Sequence, residues 1–288
     1  MPSRSCPAFL AAEMPPPPPE RARFHILPVP YEKTVSYGHG AARGPAAILR
    51  ASQYLELFTG SSQPAVESGI HTCPPVPCGG EAPAVLRRIS GRVGEILKQD
   101  KIPVVLGGEH TVSYAPVAAL VEARGTGFGV VHFDAHADLR AEYHGTKWSH
   151  ACVMRHIHEL ELPVAQFGVR SLSWGEHQYR LDHDIFHLDA ATLAEEGIPA
   201  VPLPDEFPEA LYLTFDIDAF DPSLVPGTGT PEPGGLFWHD ALRLLRGVLA
   251  GRRLLGFDVV ELAPLRGSTV SDFTAARLVY EIMGMAAR

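Results

Sequence analysis

Val130-Val131-His132-Phe133-Asp134-Ala135-His136-Ala137-Asp138 begins apolar, as a strand buried on both faces does, then sets metal-ligand side chains at alternate positions. Side chains at i, i+2 and i+4 of an extended segment point the same way. Asp134, His136 and Asp138 therefore converge just past the strand's end. Two carboxylates and an imidazole suit a borderline divalent cation, not a structural zinc site built on thiolates. Taken alone, the stretch also reads as an acidic surface turn.

Strands of the same kind recur on either side of it. Residues 24–30 read as a first strand, followed by a Gly- and Ser-rich loop over 31–44 and an amphipathic helix from Pro45 to about Phe58, with proline at its first position. From residue 84 the pattern alternates. Helices at 84–99, 112–123, 151–159, 238–249 and 272–285 are interleaved with strands at 103–106, 129–133, 165–169, 185–188, 211–215 and 254–259. Short apolar strands alternating with helices predict an α/β fold: a mostly parallel central sheet with helices on both faces, a three-layer α/β/α sandwich. Residues 59–83 carry much Pro, Gly and Ser and little periodic signal. Residues 1–20, with prolines from Pro15 to Pro19, read as a mobile tail because such a run cannot join a ladder or a helix. Residues 21–288 read as one domain.

Three further stretches collect chemistry at strand ends. Gly107-Gly108-Glu109-His110 follows the 103–106 strand and leaves His110 at its mouth, although a lone histidine is more often structural. Phe215-Asp216-Ile217-Asp218 ends another strand and aims Asp216 and Asp218 to one side, while Asp221-Pro222 beyond them reads as a turn. Glu261 ends the 254–259 strand within Phe257-Asp258-Val259-Val260-Glu261. In open α/β sheets ligands bind beyond the carboxyl ends of the strands. His110, Asp134, His136, Asp138, Asp216 and Asp218 all fall there. Four carboxylates and two imidazoles are too many for one metal with an open position. They fit two metals with two carboxylates bridging, an arrangement that activates a water near neutral pH.

GGEH, DAHAD and FDIDAFDP, in this order, resemble the three metal-binding motifs of the ureohydrolases, which include arginase, agmatinase, guanidinobutyrase and formiminoglutamase. The resemblance runs from the SYGHGAARGPAAILRAS segment at residue 36 to the C-terminus. It implies an arginase-like α/β/α sandwich and two manganese ions bridged by Asp134 and Asp216. His110 and Asp138 would complete one ion's ligands, and His136 and Asp218 the other's. It also implies that Glu261 grips the substrate guanidinium, a planar cation that pairs well with a carboxylate. Asp138 would accept a hydrogen bond from the attacking water, and a histidine would return a proton to the departing amine. His150 stands sixteen residues after Asp134, as in agmatinases, with His144 as the alternative. Glu109 departs from the family, where most members carry Asp before the histidine, and is expected to alter the ligands' surroundings and not abolish binding.

The products would be urea and a primary amine. The loop between Asp138 and His150 lacks arginase's Asn- and Ser-rich run, and GTGTPEPGG at 227–235 resembles agmatinases. Tyr143, Trp148 and Glu142 suit an aliphatic cation, whereas Arg140 and Lys147 suit a carboxylate. Agmatine, giving putrescine in polyamine synthesis, is the first expectation, and N1-aminopropylagmatine, guanidinobutyrate and arginine are alternatives. A catalytically silent metal-binding homologue and a binuclear phosphoesterase are rival readings. The net charge of -9 argues against nucleic acid and anionic membrane as partners. Four cysteines without framework spacing, no membrane-length apolar run and no secretory signal read as a cytoplasmic protein. The resemblance further implies a homotrimer or homohexamer.

Overall fold

The computed structural model describes residues 6–58 and 65–287. Among them, eight strands form one sheet: β1 (Phe24–Val29), β2 (Ile70–Thr72), β3 (Ile102–Gly107), β4 (Gly129–Phe133), β5 (Val164–Phe167), β6 (Phe186–Leu188), β7 (Ala210–Asp216) and β8 (Arg253–Val260). Their order is β2-β1-β3-β8-β7-β4-β5-β6, and every neighbouring pair is parallel. The helices are α1 (Gly44–Ala51), α2 (Ala82–Lys98), α3 (Tyr114–Arg124), α4 (Val153–His158), α5 (Trp174–Asp182), α6 (Ala190–Glu196), α7 (Trp238–Leu249) and α8 (Val270–Ala286).

The strands lack a polar face because both faces are covered. On β4, Val131 and Phe133 enter a core shared with α1, α6, α7 and α8, while Val130 enters one shared with α2, α3, α4 and α5. On β3, Val104 and Leu106 divide from Val105 in the same way. This is the three-layer sandwich expected of continuous apolar strands. Register then sets what lies at the rim. Leu106 pairs with Val259, Val259 with Phe215, and Phe215 with Phe133, so four central strands end in one transverse row. Phe133 stacks between Phe167 at 5.2 Å and Phe215 at 5.1 Å, which makes the row a packed platform.

Several boundaries differ from the sequence reading. The first helix stops at Ala51 and continues as a 3-10 turn through Ser52–Tyr54, because Ser52 Oγ and Gln53 Nε2 both donate to Leu49 O. Residues 59–64 lie outside the described residues, and the rest of the 59–83 segment supplies the short edge strand β2. Helices α5 and α6 lie where no helix was expected. The buried positions of α5 are Glu176, Tyr179 and Arg180, so charged residues occupy its inner face and hide the apolar period. Arg180 is 1% exposed and pairs with Asp189 at 2.6 Å, and Glu176 closes a capping box with Ser173.

The described part of the expected mobile tail is seated on the domain. Phe9 and Leu10 are each 2% exposed and join the core with α1. Phe9 N donates to Thr72 Oγ1 at 3.0 Å, Leu10 N to Ser52 Oγ at 3.1 Å and Ala12 N to Gln53 Oε1 at 2.9 Å. Two apolar side chains ahead of the prolines are the reason. Phe9→Ala is therefore expected to destabilise the protein by about 3–5 kcal/mol, the usual cost for a buried phenylalanine. Urea-unfolding midpoints measure it, and an unchanged midpoint would mean that the segment contributes no packing.

Candidate metal centre

The row of strand ends delivers the candidate ligands. Asp216 is the last residue of β7, Asp134 follows β4, Glu261 follows β8, and His110 opens a 3-10 turn after β3. A side chain on Gly108 would meet Tyr31 O at 1.9 Å, so only glycine permits the close approach that turns the chain into His110. Asp138 and Glu261 have φ of 53° and 63°, a left-handed conformation uncommon for residues with a Cβ. Such strain persists where the surroundings over-determine the backbone, as they do at binding sites.

The six side chains expected as ligands meet. His110 Nδ1 lies 3.0 Å from Asp134 Oδ2, 3.2 Å from Asp138 Oδ2 and 3.3 Å from Asp216 Oδ2. His136 Nδ1 lies 3.1 Å from Asp218 Oδ2 and 3.4 Å from Asp134 Oδ1. Among the described residues two metal-capable groups result, His110, His132, Asp134 and Asp138 in one and Asp134, His136 and Asp218 in the other, with ligand atoms within 4.8 Å of one another in each. Asp134 belongs to both. His110 Nδ1 is buried and forms no aligned hydrogen bond although three carboxylate oxygens face it. A nitrogen and several oxygens converging on one point without bonding one another fit a cation between them. The cluster suits a binuclear metal site.

His132, which the sequence reading did not single out, enters the first group by proximity. Its Nδ1 faces Gln166 Nε2 at 2.9 Å, and an amide nitrogen can only donate. The ring proton is therefore on Nε2, which donates to Asp134 Oδ2 at 2.8 Å. His132 orients Asp134 and has no lone pair left for an ion. His110 Nε2 lies 2.8 Å from Thr214 Oγ1, which in turn lies 2.6 Å from Asp258 Oδ1. A histidine or aspartate inside a strand buried on both faces was the signal available for these residues.

Burial and crowding shape the charges. Burial, then Asp218 and Asp134, hold the Asp216 carboxyl well above the usual range. Burial, then Glu109, do the same to Glu261. Asp138 is pushed up to about 7 by burial and by Asp134. Burial would lower His136, but Asp218 and Asp134 outweigh it and push the imidazole up to about 12. These acids compete for too little positive charge, the imbalance that divalent cations relieve.

An inner chamber of about 310 Å³ opens over the ligands and is walled by Val35, Ser36, His150, Gly229, Thr230 and Glu261. An outer chamber of about 670 Å³ continues from it past Arg140, Tyr143, Ser171, Ser173 and Glu176. Glu261 Oε1 accepts from His110 N at 2.7 Å. His150 lies 2.9 Å from Ser36 Oγ through Nε2 and 3.3 Å from Thr34 Oγ1 through Nδ1. Burial, then His110 and His136, lower it to about 4, so the ring is neutral at pH 7. His144 is exposed, packs on Tyr143 at 4.1 Å and does not line the chambers. Of the residues expected to meet an aliphatic cation, only Tyr143 lines the cleft. Trp148 instead stacks on His156 at 4.9 Å, and Glu142 is exposed.

Glu109 and the 31–44 loop explain how His150 is held. Glu109 accepts from Thr34 N at 2.7 Å and Thr34 Oγ1 at 2.8 Å, and Thr34 Oγ1 accepts from His150 N at 3.2 Å. The loop also joins the far wall, with Gly38 N donating to Gly229 O at 3.0 Å. The sequence reading treated 31–44 as a connection. Its position after the C-terminal end of β1 was the clue to its place at the site.

A family model described as "Arginase family" matches residues 22–284. The chain is 35% identical over 272 residues to an N(1)-aminopropylagmatine ureohydrolase of Synechocystis sp., with 90% of this chain and 87% of that protein covered. It is 35% identical to an agmatinase of Pyrococcus horikoshii over 93% of each chain. Among solved structures, agmatine ureohydrolase of Thermoplasma volcanium superimposes with a TM-score of 0.86 at 28% identity, over 94% of this chain and 92% of that one.

Proposed function

The chain belongs to the arginase family, and on that footing we propose that it hydrolyses an aliphatic guanidino cation to urea and a primary amine with two manganese ions. The observation that carries this reading is the pair of His/Asp groups sharing Asp134, opening directly onto the Glu261 carboxylate. Oxygen and imidazole donors without thiolates suit manganese. His110, Asp134, His136, Asp138, Asp216 and Asp218 would hold the two ions, with Asp134 common to both groups. When bound, such a pair supplies a water activated for attack near neutral pH.

The chain's own residues do the rest. Glu261 has one oxygen tied to His110 N–H, and its other oxygen is free to pair with the guanidinium. Asp138 accepts a hydrogen bond from the attacking water. His150, neutral and steered by Thr34 and Ser36, takes up the proton and passes it to the departing amine.

Agmatine was the first expectation from the sequence. The outer chamber favours a longer cation, because it extends beyond the ligands past Tyr143 and Glu176. Arg140 there is drawn to Glu176 at 3.6 Å and lies over the Tyr143 ring at 5.1 Å, which leaves it poorly placed to call for a substrate carboxylate. N1-aminopropylagmatine is therefore the proposed substrate, ahead of agmatine. Urea release with Mn²⁺ is expected to rank aminopropylagmatine first in kcat/KM, agmatine second, and arginine and guanidinobutyrate last. A flat response to all four overturns the enzyme assignment in favour of a silent homologue, and a lead for arginine or guanidinobutyrate overturns the substrate.

A further inference from the structure

We propose that Asp258, which touches neither the cleft nor the candidate ions, is a positioning residue that dictates which nitrogen of His110 faces the metal. The inference rests on the metal-centre reading and adds to it the control of one ligand's tautomer. His110, Thr214 and Asp258 are at most 1% exposed and form a chain leading away from the cleft. Their positions on β7, β8 and the turn after β3 make them neighbours although they are widely separated in sequence.

The direction of the chain follows from counting hydrogens. Thr214 has one hydroxyl proton. It can go to Asp258 Oδ1 at 2.6 Å, to Ser113 Oγ at 3.3 Å or to His110 Nε2 at 2.8 Å. The other Asp258 oxygen already accepts from Tyr212 OH at 2.7 Å. A carboxylate surrounded by the hydroxyls of Tyr212, Thr214 and Ser113 is the strongest acceptor in reach, so the Thr214 proton goes to Asp258. Thr214 Oγ1 is then an acceptor toward His110, and the His110 proton must be on Nε2. In the neutral ring that binds a metal, the lone pair is then on Nδ1, the atom aimed at Asp134, Asp138 and Asp216. A carboxylate that fixes a ligand histidine's tautomer raises metal affinity without touching the metal.

Asn at position 258 removes the anionic acceptor that fixes the chain's direction. With its amide nitrogen toward Thr214 Oγ1, the Thr214 proton turns to His110 Nε2, and the ring proton moves to Nδ1, where it blocks the ion. The test is calorimetric titration of Mn²⁺ into the full-length, metal-stripped protein. Asp258→Asn and Thr214→Val are expected to weaken one of two Mn²⁺ sites by about 10–100-fold, the range for outer partners of ligands. Thr214→Ser, which keeps the hydroxyl, is expected to retain wild-type affinity at both sites. Thermal midpoints of the stripped proteins establish that each variant folds, and if Asp258→Asn does not, the Thr214→Val and Thr214→Ser pair decides. Wild-type Mn²⁺ affinity in the folded Asp258→Asn and Thr214→Val proteins overturns the relay alone. A loss in Thr214→Ser equal to that in Thr214→Val also overturns it, since bulk and not the hydroxyl would then matter. A wild type that takes up no Mn²⁺ overturns the metal centre, and the relay with it.

Discussion

Asp134→Asn is expected to remove both metal ions and to lower urea release by more than the about 10–100-fold that a ligand's outer partners cost. The reason is topological as well as chemical. Asp134 is the residue common to both His/Asp groups, so one substitution strips a ligand from each. It is also the best organised of the acids. Burial alone would raise its carboxyl, but His132, His110 and His136 hold it well below the usual range, so it is an anion before any ion arrives. Its oxygens accept from His132 Nε2 at 2.8 Å and His136 N at 2.6 Å. An Asn oxygen preserves one of these bonds and none of the charge. Metal content per chain and urea release measure the outcome, and the stabilisation that Mn²⁺ confers provides an independent reading. A ligand at one hundred times its Kd stabilises the folded state by about 2.7 kcal/mol. That increment should appear in the wild type and vanish in the variant. Two ions per chain with urea release within tenfold of wild type would remove Asp134 from the centre.

Glu261→Gln carries the second large effect, with a different signature. Removing one member of a buried hydrogen-bonded charge pair costs about 2–5 kcal/mol, which is roughly a 30- to 5,000-fold loss in kcat/KM. Gln can keep its carbonyl oxygen on His110 N–H, so the turn after β3 and the metal content should survive. Its amide then faces the guanidinium with a donor where an acceptor is needed. Intact Mn²⁺ binding with a steep loss of turnover on every guanidino substrate is the expected result. Full activity on them would show that the guanidinium is held elsewhere. Loss of the ions instead would make Glu261 part of the metal support.

How far the sequence disclosed the site depends on the length scale of each signal. Asp134, His136 and Asp138, and likewise Asp216 and Asp218, were legible from a local signal, their donor types just past apolar strands, although the extended path expected there is not kept: Asp138 has a φ of 53° and Asp218 lies in a 3-10 turn. The sandwich was legible for a similar reason, since strands apolar at every position need a layer on each face. Helix α5 was not, because Glu176 and Arg180 are buried through partners, Ser173 and Asp189, that the local pattern does not reveal. Phe9 and Leu10 were lost beside a proline run whose disfavour for regular structure says nothing about the residues before it. Thr214 and Asp258 read as ordinary strand residues until β7 and β8 were known to be neighbours.

The sequence by itself determined the layers of the fold, the four strand ends that bear chemistry and the donor types gathered there, because periodicity and residue type act over a few residues. Only the tertiary structure decided that β3, β8, β7 and β4 lie side by side, that Glu109 holds the loop steering His150, and that a buried Asp258 stands behind His110. Those facts depend on which distant segments pack together, and that choice is made by burying both faces of the whole sheet at once.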